Sequence, residues 1–319
     1  FRAPEVRHLL RPPLGGPQCF CSQARGRGPG RARSGREPAA MGTLAKRLGQ
    51  LQNLLSLQPG ALRLESESRN IMRTTAANKV PGSLSLRLDS VLRQGHDMKV
   101  FGLGTAASMA GRARYARFTA AMHSVYATME EELDRAAADA ACPATRAVWQ
   151  RHGSVLRRAG ALEADLADVE AELGRAPPAS PATGRYVAGI REAGRRDRGG
   201  GGARLLGHLY CRYFADLFGG QALATPYRVA LGLAHGTPRH YAFALPEGGR
   251  RAYISDIYAS LNEAGEMLPQ EECELVVQEA LLAFRHNIDV YSEEPLYLDA
   301  ARGVANMCSG YVASRVRGS

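Results

Sequence analysis

The residues of this chain whose types and spacing suggest chemistry are concentrated in one short segment, His208-Leu-Tyr-Cys-Arg212-Tyr213-Phe-Ala-Asp216-Leu-Phe-Gly219-Gly220-Gln221. A Gly-Gly pair inside a helical pattern costs about 1 kcal/mol per glycine relative to alanine. Such a pair marks a bend, or a close approach of the backbone to something flat. Asp216 stands one turn before Gly219, on the same side. A helix bent over a planar ligand, with a carboxylate beside the bend, fits this spacing. Tight helix packing at the glycines, with a solvated Asp216, fits it too. Elsewhere the chemistry-bearing residues are dispersed. Six cysteines are scattered without a CxxC pair, so they read as reduced thiols. No Cys/His cluster has the spacing of a zinc site.

The elements that must position this segment read as helices. Residues 112–135 carry Phe118, Met122, Val125, Tyr126, Met129 and Leu133 at intervals of three and four. Further helical stretches are predicted at 84–92, 144–173, 186–194, 204–233, 250–264 and 271–289. A glycine linker is predicted at 199–202, and 239–245 reads as weakly extended. The last 30 residues are expected to form one amphipathic helix or a loose tail. There is no βαβ alternation and no internal repeat. The predicted fold class is therefore all-α, with helices around a common core. The expected division is an extension over 1–78, a helical domain over 79–293, and a C-terminal helix or tail over 294–319.

Charge separates the chain in the same way. Of the formal +10, residues 1–60 carry +8, and the remainder is nearly balanced. A basic body would suggest a nucleic-acid partner, and this body is not basic. No apolar run approaches the roughly 18 residues that a membrane span requires. The first 40 residues are rich in Arg, Gly and Pro and poor in acids, a composition that cannot bury enough apolar area to order itself. They read as an organelle targeting peptide or as a leader upstream of Met41.

Beyond these features the chain resembles the haem oxygenases, whose distal-helix motif runs roughly G-D-L-S-G-G-Q. Here it stands as Ala215-Asp216-Leu217-Phe218-Gly219-Gly220-Gln221. YARFTAAMHSVYATMEEE (115–132) is similar to the family's second long helix. GALEADL (160–166), RYVAGIREAGR (185–195), YAFALP (241–246) and AFRHNIDVYSE (283–293) follow in the family's order.

The resemblance implies a haem-oxygenase-like helical domain. It also implies an O2-dependent opening of haem to biliverdin with release of iron and CO. Haem would be both substrate and cofactor, an external reductant would supply electrons, and a ferredoxin-type protein would be the donor. It implies Asp216, Gly219 and Gly220 as catalytic residues. Asp216 would anchor a water network, and the glycines would let the backbone approach the haem face where O2 binds. Tyr210 and Arg212 match positions that support that network, and Arg251 falls near a basic position used for a haem propionate. The family's neighbouring arginine falls on Ser255. Two departures, Ala215 for glycine and Phe218 for serine, add bulk beside the bend.

For the iron ligand two registers stand open. His96 is the histidine of the first helix, in Leu92-Arg-Gln-Gly-His96-Asp-Met-Lys-Val100, and is taken as the metal ligand. Counting from the family's L-R-x-G start instead puts Val100 at the ligand position. His123 is the backup ligand, and the remaining histidines read as structural or exposed. The alternative function is a non-catalytic protein of the same fold that binds haem or a linear tetrapyrrole.

Overall fold

The computed structural model describes residues 75–95, 98–174, 177, 180–293 and 295–317. Among these residues there are α-helices and short 3-10 turns, and no strand. In order they are α1 (Leu84–Gly95), α2 (Met98–Ser108), α3 (Arg112–Ala138), α4 (Pro143–Leu156), α5 (Ala159–Leu173), α6 (Pro181–Gly200) and α7 (Leu205–Phe218). Then come α8 (Ala224–Leu231), α9 (Gly249–Glu266), α10 (Gln270–Ser292) and α11 (Leu296–Arg317). No helix of the described residues is long and apolar enough to cross a membrane.

The long stripe on α3 behaves as its spacing requires, and Phe118, Met122, Val125, Tyr126, Met129 and Leu133 are all buried. Proline opens α4 and α6 at the first helical position, where its missing N–H costs nothing. The Ser180 hydroxyl accepts from the Thr183 N–H at 3.1 Å and caps α6. Gly174 and Gly201 end α5 and α6 in the left-handed region, at φ 65° and 73°.

Several helices differ from the sequence reading, and buried carboxylates explain two of the differences. The stretch 144–173 breaks at Arg157 and Arg158. There Glu130 Oε1, on α3, accepts the N–H groups of Arg158 at 2.6 Å and Ala159 at 3.0 Å, and so caps α5 from outside. The predicted glycine linker is shorter than expected, because α6 continues through Gly200. Asp197 then accepts from the N–H groups of Arg204 at 2.8 Å and Leu205 at 3.0 Å, which fixes the start of α7. The 239–245 stretch begins with a 3-10 turn, Arg239–Tyr241, rather than a strand. Asp165 holds it by accepting from the backbone N–H groups of Arg239 (2.9 Å) and His240 (3.2 Å).

The C-terminal segment is a packed helix. α11 lies on α2 so closely that a Cβ at Gly303 would come within 1.7 Å of the Ala106 carbonyl oxygen. Asn306 donates to the carbonyls of Met109 at 3.0 Å and Ala110 at 3.1 Å, which would otherwise be orphaned at the end of α2.

α4 and α9 are joined by a buried histidine. His152 Nε2 lies 2.8 Å from Ser260 Oγ, and its ring meets Tyr253 edge-on. Burial lowers its pKa from 6.5 to about 4. The folded state therefore binds fewer protons than the unfolded chain between these values. Its stabilising effect is complete above about pH 6.5 and is lost as pH falls through 4. We expect urea unfolding to show a loss of roughly 3 kcal/mol from this group between pH 7 and 4. His152→Gln should remove most of that slope.

Candidate functional site

α7 runs through the core, and nearly its whole length is buried. A buried helix must find partners for each polar side chain it carries. Arg212 and Asp216, four residues apart, therefore meet side chains from two other helices. Tyr126 of α3 donates its hydroxyl to Asp216 Oδ2. Arg212 Nη1 donates to Asn287 Oδ1 of α10 at 2.9 Å. The Arg212 guanidinium also lies 5.2 Å from the centre of the Tyr126 ring, and its Nη2 is 3.9 Å from Asp216 Oδ1. Asn287 is itself anchored, donating to Cys211 Sγ at 3.2 Å and to the Ala283 carbonyl at 3.1 Å.

Burial pushes the Tyr126 hydroxyl well above its ordinary value. Arg212 opposes the shift and Asp216 adds to it. Tyr126 is thus a proton-bearing donor near neutral pH, and the carboxylate receives the bond. With Oδ2 engaged by Tyr126, Oδ1 is the oxygen turned toward the bend, 3.2 Å from where a Cβ of Gly220 would lie.

The bend itself is a change of helix type. α7 ends at Gly219, at φ −123°, and a 3-10 turn, Gly220–Leu223, carries the chain into α8. Neither glycine is there for a left-handed conformation. Gly220 is required by contact, since a Cβ would come within 2.8 Å of the Tyr241 ring. Gly219 is exposed, and a Cβ there would meet only its own helix's Ala215 oxygen at 3.6 Å. The space over Gly219 is therefore open to an approaching group.

Beneath this bend is a cavity of about 230 Å³. Asp216, Arg212, Gly219 and Gly220 line it from α7 and the turn, and Phe101, Gly102 and Thr105 line it from α2. Phe118, Met122, Phe284 and Leu223 supply apolar wall. Of the two departures from the family motif, Ala215 lines the cavity, whereas Phe218 packs on Phe214 at 5.7 Å and does not.

Asp216, Gly219, Gly220 and Arg212 thus line one cavity. Tyr210 is not among the residues that line the cavity. Its hydroxyl donates to Asp89 of α1, which also accepts from Tyr258 at 2.8 Å and Asn78 at 2.6 Å. One turn of helix separates it from Phe214, and this places it in a cluster that ties α1, α7 and α9 together. Arg251 is exposed on α9 and lies off the cavity, and its neighbour Arg250 is the buried one. Arg250 Nη1 donates to the Leu217 carbonyl at 3.3 Å, at the end of α7. His123 faces a groove between α3 and α6, with Arg117 and Arg191, rather than the cavity.

His96 lies outside the described residues. Val100 is in α2 but does not line the cavity, and Phe101, Gly102 and Thr105 do so instead. Among the described histidines, the one that lines the cavity is His240, which reads in the sequence as structural or exposed. Its Nδ1 lies 3.0 Å from buried Asp165. Tyr126 and Asn287 were also missed as site residues. Tyr126 was read as part of the apolar stripe, and its position four residues beyond Met122 was the available signal. No described group of three or more His, Cys, Asp or Glu residues could hold a metal ion. A resident iron would have to come with a ligand.

The site defines an all-helical protein with a glycine-bent helix and a buried carboxylate over a largely apolar cavity. A family model described as Heme oxygenase matches residues 98–293, and the chain belongs to that family. Heme oxygenase 1 of Pongo abelii is 31% identical over 175 residues, which are 54% of this chain and 57% of that protein. The chain thus spans little more than half the length of the curated relatives it matches. The structure of heme oxygenase 2 from Chlamydomonas reinhardtii, determined without heme, superposes with a TM-score of 0.58 at 23% identity. It covers 67% of this chain and 98% of that one. Heme oxygenase-2 from Synechocystis sp. PCC 6803, in complex with heme and NO, superposes with a TM-score of 0.53 at 25% identity, over 66% and 84%.

Removing the Tyr126 hydroxyl leaves Asp216 Oδ2 without its donor in a buried place. Tyr126→Phe should therefore lower stability by about 1–3 kcal/mol in urea unfolding. Arg250→Ala should lower it measurably, and Arg251→Ala by no more than about 0.5 kcal/mol, as for an ordinary surface change.

Proposed function

We propose that this chain is a haem oxygenase. It would open haem to biliverdin with consumption of O2 and release of iron and CO, using electrons from an external reductant. The observation that carries this reading is the Tyr126–Asp216–Arg212 constellation, set against an open glycine at the end of α7. The residues fit a flat, mostly apolar group. Apolar side chains form most of the wall, Arg212 and Asp216 bring the charge from α7, and the place a Gly219 Cβ would take is free. The likeness to a cyanobacterial heme oxygenase-2 solved with heme and NO supports the ligand class.

Haem, when bound, supplies the chemistry of O2 activation and is itself the molecule oxidised. The chain's own residues hold and deliver protons. Asp216 Oδ1 is placed to accept hydrogen bonds from water at the bend, while Tyr126 keeps Oδ2 fixed in orientation. A carboxylate suits this task because its charge-assisted hydrogen bonds order water strongly. Arg212, held by Asn287, keeps positive charge beside the carboxylate. Phe118, Met122, Leu223 and Phe284 exclude bulk water from the rest of the cavity. At Gly219 the absence of a side chain lets the backbone come close to the ligand.

A ferredoxin-type donor and placement in a plastid, with a mitochondrion second, belong to the same proposal. The Arg-rich, acid-poor first 40 residues support the placement.

The test is direct. The full chain mixed with hemin, reductant and O2 should lose its Soret band and yield biliverdin. An unchanged Soret band under strong reduction would defeat the oxygenase reading. Asp216→Ala should still bind hemin but lose biliverdin formation by about 10²-fold or more, as for removal of a positioned proton-handling group.

One observation favours the second reading, a non-catalytic haem- or tetrapyrrole-binding protein. The described residues of α2 that face the cavity are Phe101, Gly102 and Thr105, and none is an imidazole. The ferric absorption spectrum of His96→Ala decides whether His96 is the ligand. Under the oxygenase reading the spectrum changes, and retention of the wild-type spectrum removes His96 from that role.

A further inference from the structure

Two cavities in the fold meet at a pair of aromatic side chains. The first is the cavity of about 230 Å³ beneath Gly219 and Gly220. The second, of about 340 Å³, lies toward the start of α3 and is lined by Ser108, Arg114 and Ala121 among others. Phe118 and Tyr291 line both, and Gly104 lines the second. Sites that bury an organic ligand usually span about 300–1,000 Å³. The first cavity falls short of that range by itself, although it holds all the polar groups of the candidate site. Only the two together lie well inside it.

Tyr291 is the partition. Its ring comes from α10 and rests on Gly104 of α2. A Cβ at Gly104 would be 2.1 Å from Tyr291 Cδ1, so the glycine is what lets the ring sit there. Phe101 meets the ring edge-on at 5.4 Å, and Phe118 packs on it at 5.6 Å. Arg212 and Thr105 are polar side chains near its hydroxyl. One side chain thus spans the gap between α2 and α7. It fills space with its ring and sets its hydroxyl near Thr105 of α2 and Arg212 of α7.

We propose that Tyr291 is the residue that controls admission of the tetrapyrrole. Its ring occupies part of the volume a flat macrocycle requires. It swings toward the second cavity when the ligand enters, leaving Arg212 to the ligand side. This inference rests on the haem-binding reading above and names the side chain that the ligand must displace. A protein that spends most of its time closed binds more weakly, and more slowly, by the fraction of molecules that are open. Removing the partition should therefore make binding faster and tighter, the opposite of what a merely structural loss would do.

The experiment is stopped-flow mixing of the full chain with hemin, followed at the Soret band, with an equilibrium titration alongside. Tyr291→Ala should associate about tenfold faster than wild type and bind more tightly, as expected when a closed population is removed. Tyr291→Phe keeps the ring on Gly104 and loses only the volume and polarity of the hydroxyl, so its rate should fall between the two. Gly104→Ala should also accelerate binding, because the new methyl group cannot coexist with the ring. Circular dichroism melts establish that each variant is folded, and if Gly104→Ala is not, Tyr291→Ala decides alone. Association at or below the wild-type rate in folded Tyr291→Ala overturns this proposal and leaves the haem-binding reading standing. Absence of any hemin Soret band in wild type and variants overturns both.

Discussion

α7 is a polar-bearing helix threaded through an apolar core, and this constraint organises the structure around it. Each of its buried polar side chains is met by a different neighbour. His208 lies against Glu279 of α10, Tyr210 against Asp89 of α1, Arg212 against Asn287 of α10, and Asp216 against Tyr126 of α3. A buried polar group left without a partner costs about 1–3 kcal/mol, so the rotation and axial position of α7 are set several times over. Its first residues are fixed as well, by the Asp197 carboxylate. The carboxylate at the bend is therefore presented in one orientation by a rigid element. The proton-handling role proposed for Asp216 requires that kind of positioning.

Close backbone approach is the second organising feature, and it depends on a few glycines. Gly207 lets α7 lie against α10, where a Cβ would come within 2.6 Å of the Val276 carbonyl oxygen. Gly303 does the same between α11 and α2, and Gly310 between α11 and α8, where a Cβ would fall 2.2 Å from the Val229 oxygen. α11 lies beyond the span that the family model matches, yet it supports α2 and α8, the elements on either side of the bend. The wall of the cavity opposite α7 is thus held in part by a helix the family pattern does not include.

The fold was legible in the sequence where a side-chain stripe had the helical period over many turns. The α3 stripe from Phe118 to Leu133 is buried as its spacing required, and Asp216, Gly219 and Gly220 stand where the motif suggested. Helix ends were less legible when they were imposed from a distance. The break before α5 comes from Glu130, and the 3-10 turn at Arg239–Tyr241 is held by Asp165. Neither carboxylate is near the affected residues in sequence. Local propensity therefore carried no sign of either.

The sequence alone determined the all-helical class, the placement of most of the charge in the first 60 residues, and the carboxylate–glycine segment around which a site could be built. Only the tertiary structure decided which side chains reach that segment. It turned Tyr126 and Asn287 toward Arg212 and Asp216, placed Tyr210 with Asp89, and left Arg251 on the surface with Arg250 turned in. It also set Tyr291 on Gly104. The reason is physical: a helical period tells which face of a helix is buried, while a buried hydroxyl or guanidinium chooses its partner among whatever neighbouring helices bring within reach. Those neighbours lie far away along the chain.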